Sequence, residues 1–238
     1  MKDEFAMKIK AKLPRILLGL AAVILLIGLV YGLRKGPARA RNHIPRPVRM
    51  ASSVLVLLAA LLNARRHAGP QSSYAAAGMA CGLTGDLIMA ELIPLPQHVI
   101  AGMLAFGSGH GLYLRACEQL GRLSPGLKRA GLGMGWLVAL IGWWTLARNP
   151  KQPLVLNIAA LGYALLLGSM AGKAGALALS DRRHLPLAVG GSLFLGSDLV
   201  LAGELFRELD FPGIGDVIWL SYISGQALIV DGLGNEVR

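Results

Sequence analysis

Eight long apolar stretches, joined by connections too short to fold on their own, constrain this 238-residue chain more than any other feature. About 17–25 mostly apolar residues cross a hydrocarbon layer as a helix. By that measure the segments are 13–33, 48–64, 73–93, 97–118, 127–147, 154–179, 185–206 and 214–233. Lipid offers the backbone no water to bond to, so such segments must be helical. Pro94, Pro96, Pro125, Pro150, Pro153, Pro186 and Pro212 fall in or beside the connections, where helices stop. The expected fold is all-α, a polytopic membrane bundle of eight transmembrane helices forming one domain over 13–233. A basic N-terminal tail over 1–12 and a short C-terminal tail over 234–238 flank it. Apolar residues make up 54% of the chain and charged ones 16%, which fits an integral membrane protein and, in a bacterium, the cell membrane.

The first segment invites a second reading. Lys8, Lys10 and Lys12 precede its apolar run, and Ala38-Arg39-Ala40 has the small residues of a signal-peptidase site. The run is long for a secretory signal, and Arg34 and Lys35 at its exit suit a membrane boundary, so the expectation is a retained helix. The net charge of +11, from 24 basic and 13 acidic residues, is spread over the connections rather than gathered on one face of a domain. Nucleic acid is therefore not an expected partner, while anionic membrane lipids at the basic loops are. Arg65-Arg66, the Arg115 to Arg129 connection and Arg182-Arg183 place both termini in the cytoplasm by the positive-inside rule. The stretch from Arg34 to Arg49, with Arg34, Lys35, Arg39, Arg41, Arg46 and Arg49, argues the other way.

Within this bundle one pattern occurs twice. Leu83-Thr84-Gly85-Asp86-Leu87-Ile88-Met89-Ala90-Glu91-Leu92 is echoed by Leu195-Gly196-Ser197-Asp198-Leu199-Val200-Leu201-Ala202-Gly203-Glu204-Leu205. Downstream, Ser108-Gly109-His110-Gly111-Leu112 is answered by Ser224-Gly225-Gln226-Ala227-Leu228, with Phe106 and Tyr222 each ahead of the polar side chain. Two motifs in one order at nearly one separation point to a duplicated unit. Four segments separate equivalent helices, so the expectation is a pseudo-symmetric parallel 4+4 repeat with halves at about 13–120 and 127–233. A carboxylate in hydrocarbon costs about 2.5–3.5 kcal/mol even on the lower insertion scales, so Asp86 and Asp198 must face the bundle interior, water or each other. At about 1.5 Å per residue, these aspartates, His110, Tyr222 and Gln226 fall in one band near the middle of the bilayer. His110 and Tyr113 share one helix face, and so do Tyr222 and Gln226.

Other polar or small residues read as structural. Cys81 and Cys117 stand alone in apolar helices with no metal or redox spacing. Lys173 is placed to snorkel toward Asp181. His43, His67, His98 and His184 fall at loops or helix ends and read as surface groups. Gly131, Gly135, Gly168 and Gly172 have the small-xxx-small spacing of close helix packing. Trp143, Trp144 and Trp219 near helix ends read as interfacial anchors.

Gly85-Asp86, Ser108-Gly109-His110-x-x-Tyr113, Gly191-Ser192-Leu193-Phe194 with Ser197-Asp198, and Tyr222-x-x-x-Gln226-x-Leu-Ile together resemble the YhhN family of lysoplasmalogenase-like membrane proteins. Arg46-Pro47 is similar to that family's Lys-Pro, with Arg in place of Lys. The resemblance runs over about residues 13–233, carried least by the fifth and sixth segments; the long basic N-terminus and Lys173 depart from it. It implies an eight-helix protein that hydrolyses the vinyl ether of lysoplasmalogens to a fatty aldehyde and a glycerophospho-base, with Asp86 and Asp198 as its carboxylates. The residues suit that chemistry. An acid protonates the β-carbon of a vinyl ether, water captures the oxocarbenium ion, and the hemiacetal collapses to aldehyde and alcohol. Two carboxyl groups in different protonation states divide such work, with no cofactor. His110, Tyr113, Tyr222, Gln226 and Ser197 would support them or bind substrate. Two other functions draw on the same residues: a proton-coupled transporter with midplane carboxylates, and a metal-dependent lipid hydrolase using Asp86, Asp198 and His110.

Overall fold

A computed structural model of the chain describes residues 2–66 and 69–234. Among them are eight α-helices and no strand: α1 (Lys2–Lys35), α2 (Arg46–Arg66), α3 (Pro70–Met89), α4 (His98–Glu118), α5 (Pro125–Gly142), α6 (Leu154–Ser180), α7 (Leu185–Arg207) and α8 (Ile214–Gly234). The eight apolar segments each become a helix. α1 begins at Lys2 and so continues through the stretch expected as a separate tail. His67 and residues 235–238 of the expected C-terminal tail lie outside the described residues.

Local chemistry sets the helix ends. Pro70 and Pro125 stand in first turns, where their missing N–H costs nothing. Ser124 Oγ accepts from Leu127 N at 3.3 Å as the cap of α5. The end of α5 widens into a π turn over Trp143–Ala147. Glu91, just beyond α3, and Glu208, just beyond α7, both adopt left-handed backbone, with φ of 56° and 57°. Asp181, after α6, accepts from Arg183 N at 2.9 Å and from Arg183 Nε at 2.8 Å, and this guanidinium holds its carboxyl down at about 2. Asp181 is thus claimed by its near neighbour, not by the Lys173 side chain expected to reach it.

Six of the eight helices are long and apolar enough to cross a membrane, and the chain is an integral membrane protein. α3 and α4 are the other two. They carry Gln71, Ser72, Ser73, Thr84 and Asp86 and, in α4, Ser108, His110 and Arg115, so their polarity reflects what they hold. Large apolar side chains face outward on the remaining helices, for example Ile27, Leu137, Leu154 and Leu179. Such exposure would be a liability in water and is what a lipid-facing surface needs.

Successive helices pack as hairpins, α1 with α2, α3 with α4, α5 with α6 and α7 with α8, and α4 on α6 and α2 on α8 tie them together. Three helix pairs come unusually close through glycine, α3 with α4, α7 with α8 and α5 with α6. A Cβ on Gly78 would lie 3.1 Å from Gly109 O, and one on Gly109 would lie 2.9 Å from Gly78 O. In α7 and α8 the matching distances are 2.8 Å from Gly190 to Gly225 O and 2.8 Å from Gly225 to Gly190 O. Gly131, Gly135, Gly168 and Gly172 likewise pack α5 on α6, as their spacing predicts. Cys117 is buried and Cys81 half-buried, as small core residues.

Candidate active site

The ends of α2, α3, α4, α7 and α8, together with Tyr163 of α6, enclose a cavity of about 450 Å³. Asp86, Asp198, Ser197 and Tyr222 line it. Of the predicted site residues, His110, Tyr113 and Gln226 do not; they form a buried layer behind.

Asp86 is buried on α3, and its Oδ2 accepts two hydroxyl hydrogen bonds, from Ser53 of α2 at 2.5 Å and from Tyr222 of α8 at 3.1 Å. The chain of donors continues backward. Gln226 Nε2 donates to Tyr222 Oη at 3.2 Å, and Tyr113 Oη donates to Gln226 Oε1 at 2.6 Å. Each donor in this row points its hydrogen toward Asp86. The Tyr222 ring is fixed by edge contacts with Phe194 at 5.1 Å, Trp219 at 5.4 Å and Phe106 at 5.9 Å. Gly82 makes room for the row, since a Cβ there would come within 2.7 Å of Gln226 Nε2.

Asp198 is half-buried on α7, and its near partner is a residue the sequence reading missed. Tyr163 Oη donates to Asp198 Oδ2 in a short hydrogen bond. Ser197 contributes little, because its hydroxyl donates to Phe194 O at 2.7 Å and stands 3.4 Å from Asp198 Oδ1. His110 reaches Asp198 through Tyr163, with Nε2 3.2 Å from Tyr163 Oη. With the Tyr163 hydrogen directed at Asp198, Nε2 is placed to donate in that contact, and Nδ1 is buried with no hydrogen-bond partner among the described residues. His110 and Tyr113, though on neighbouring positions of one helix face, therefore serve different aspartates.

Sequence signals for the missed partners were present but faint. A tyrosine in the apolar run of α6 must satisfy its hydroxyl somewhere, and Ser52-Ser53 puts two hydroxyls inside α2. Nothing local tells which partner, 35 residues from Tyr163 or 33 from Ser53, is chosen.

The mouth of the cavity is built on Asp216, in the first turn of α8. Its carboxylate accepts from His43 N and Ile44 N, each at 2.9 Å, and pairs with His43 Nδ1 at 2.7 Å. Gly213 N and Gly215 N donate to Ala40 O and Arg41 O, both at 2.9 Å, and Gly213 turns the chain with φ of 79°. The 36–45 connection is thus strapped to α8. This corrects several expectations. His43 and His184 are buried, and His98 is half-buried and lines the cavity. Trp219 does not sit on the outer surface as an anchor; its Nε1 donates to Ser52 Oγ at 3.2 Å and the Arg49 guanidinium lies 5.5 Å over its ring. Trp144, in contrast, is exposed with Arg148 over its face.

Among the described residues no three His, Cys, Asp or Glu side chains come together as a metal site requires. His110, the nitrogen such a site would use beside the two aspartates, is turned to Tyr163. A protein-family model, that of the YhhN family, matches residues 46–233.

The chain belongs to the YhhN family.

The match begins with the first residue of α2 and ends in α8, so every cavity-lining residue of this YhhN protein except Arg41 and Asn42 falls within it. No curated protein and no solved structure matches the chain.

Proposed function

We propose that this YhhN-family protein is a membrane-embedded hydrolase that cleaves the vinyl ether of a lysoplasmalogen-type lipid to a fatty aldehyde and a glycerophospho-base. The observation that carries the reading is one cavity lined by two aspartates with unlike shells. Asp86, held by Ser53 and Tyr222, is the carboxylate; Asp198, on Tyr163, is the proton donor. Hydrogen bonds from hydroxyls stabilise the charged form of an acceptor, and Asp86 has two close ones where Asp198 has one.

The cycle closes without an outside acid. Asp198 gives its proton to the β-carbon, and the electron pair of the double bond forms the new C–H bond as the ether oxygen shares its lone pair to make an oxocarbenium ion. Asp86 takes a proton from water as its oxygen bonds the cationic carbon. In the hemiacetal, Asp198 removes the hydroxyl proton, the carbonyl forms, and the C–O bond to glycerol breaks. Asp86 returns its proton to the departing oxygen. Both groups end as they began. Met89, Met103, Phe106, Leu201 and Leu205 give the cavity an apolar wall suited to the start of the alkyl chain. Tyr113, His110, Gln226 and Phe194, each almost fully buried, close it behind the aspartates. A transporter would have to open that layer, and this favours hydrolysis over transport.

We also infer that the helices arose by a parallel 4+4 duplication. The glycine contacts support it, since Gly78 and Gly190 each stand eight residues before their aspartate. So does the packing of α4 on α6 and of α2 on α8, which exchange under such a pseudo-twofold. Both termini are assigned to the cytoplasm, with the mouth on the opposite side. Arg41 and Arg49, two of the six basic residues that argue against that orientation, are bonded within the mouth and are not free topology signals.

Turnover in deuterated water tests the reaction. β-Carbon protonation predicts a fatty aldehyde with a single deuterium at the carbon next to its carbonyl. Unlabelled aldehyde contradicts the mechanism, and no aldehyde contradicts the reading.

A further inference from the structure

Three arginines, Arg41, Arg46 and Arg49, line the mouth of the cavity above the aspartates. Their engagements differ. Arg41 is paired with Glu204, and Arg46 Nη1 donates weakly to Ala90 O at 3.4 Å from an exposed position. Arg49 is half-buried and held in place on two sides. Its Nη1 donates to Asn42 Oδ1 at 3.0 Å, and its plane lies over Trp219. Yet Arg49 Nε is buried with no hydrogen-bond partner among the described residues.

A buried, unpaired N–H of a guanidinium is costly, and this one sits on a particular edge. Nε and Nη2 donate in parallel from one side of the guanidinium, the fork that matches two oxygens of a phosphate or carboxylate. Asn42 takes Nη1, on the other side of the guanidinium, and no hydrogen bond from this fork is made to the described residues. Around the mouth, three arginines, Arg41, Arg46 and Arg49, stand beside two glutamates, Glu91 and Glu204, so cations outnumber anions at the entrance itself. Glu204 Oε2 is also buried with no hydrogen-bond partner among the described residues, and Asp86 lies deeper in the same cavity.

Resting on the hydrolase reading, we propose that the Nε/Nη2 edge of Arg49, supported by Arg46, is the phosphodiester subsite of this cavity. It makes Arg49 the residue that selects a phosphate-bearing lysolipid over a neutral glycerol ether. Held there, the head group sits at the mouth and the glycerol oxygen points inward to the aspartates. Asn42 and Trp219 are positioning residues, which keep the guanidinium plane fixed so that little freedom is lost on binding.

The test uses the purified full chain in detergent and a ligand that is not turned over, a saturated acyl lysophosphatidylethanolamine. Its affinity is compared with that of the monoacylglycerol of the same chain and with inorganic phosphate. The wild type is expected to prefer the phospholipid by about tenfold or more, and Arg49→Met to erase the preference while leaving monoacylglycerol binding, the check on folding, unchanged. Arg49→Lys is expected to restore only part, since an ammonium lacks the fork. An unchanged preference in Arg49→Met overturns the proposal. Displacement of the lipid by inorganic phosphate at equal concentration also overturns it, by assigning a free-anion site. If Arg49→Met loses monoacylglycerol binding too, the exposed Arg46→Met carries the test, and an unchanged preference there is equally fatal. The ligand has no vinyl ether, so an intact preference beside absent aldehyde release would sink the hydrolase reading alone.

Discussion

The hairpins α3–α4 and α7–α8 present their aspartates from matched positions, but the surroundings of those aspartates are unlike. In each hairpin a glycine eight residues before the carboxylate touches a glycine carbonyl across the helix pair. Asp86 then receives Ser53 and Tyr222 and is backed by Gln226 and Tyr113. Asp198 receives Tyr163, backed by His110. The lesson is that the backbone framework and the polar shell are separable. Close glycine packing fixes where two carboxyl groups stand, and residues on neighbouring helices give each of them its own hydrogen-bond partners.

Breaking the two shells separately should give unequal losses. Tyr163→Phe leaves Asp198 only the long Ser197 contact, and turnover is expected to fall about 10²-fold; Tyr222→Phe leaves Ser53 on Asp86 and should cost about tenfold. Equal losses would mean that the two shells do not differ in role. A second asymmetry is in the mouth, where α8 offers Asp216 to the 36–45 connection. Asp216→Ala strands His43 N and Ile44 N and is expected to lower stability by about 2–3 kcal/mol, read by thermal unfolding in detergent; an unchanged melting temperature would refute the strap.

The glycine frames can be compared directly. A methyl on Gly190 meets backbone, Gly225 O at 2.8 Å and Ile229 N at 2.9 Å, whereas on Gly78 it meets chiefly the Tyr113 ring. Gly190→Ala should therefore cost about 2 kcal/mol and Gly78→Ala about 1, because a ring can shift and a helix backbone cannot. A reversed order in thermal unfolding would contradict this. The smallest effect is expected for Ser53→Ala, about a threefold loss of turnover with Tyr222 still bonded to Asp86.

Sequence made much of this legible. Long apolar runs dictate helices wherever water is absent, so all eight elements could be read. Asp86 and Asp198 stood out because a carboxylate is expensive in hydrocarbon and because each was embedded in the same neighbours. Tyr222 and Gln226 followed from spacing on one helix. What was not legible depends on contacts between distant helices. Tyr163 has no counterpart in the repeated motifs, and the pairing of His43 with Asp216 spans 173 residues. A tryptophan near a helix end looks the same in sequence whether it faces lipid or, as Trp219 does, packs against a half-buried arginine. In sequence Arg49 is only a charge, since nothing local tells which edge of a guanidinium its neighbours will take.

The most direct measurement is fatty aldehyde release from a lysoplasmalogen by the purified protein, run beside Asp86→Asn and Asp198→Asn variants shown to be folded by their thermal transitions. Aldehyde from the wild type, with a loss of at least about 10³-fold in each variant, is the result predicted for two carboxyl groups that share one reaction. Robust aldehyde release by either variant, or none from the folded wild type, would contradict it.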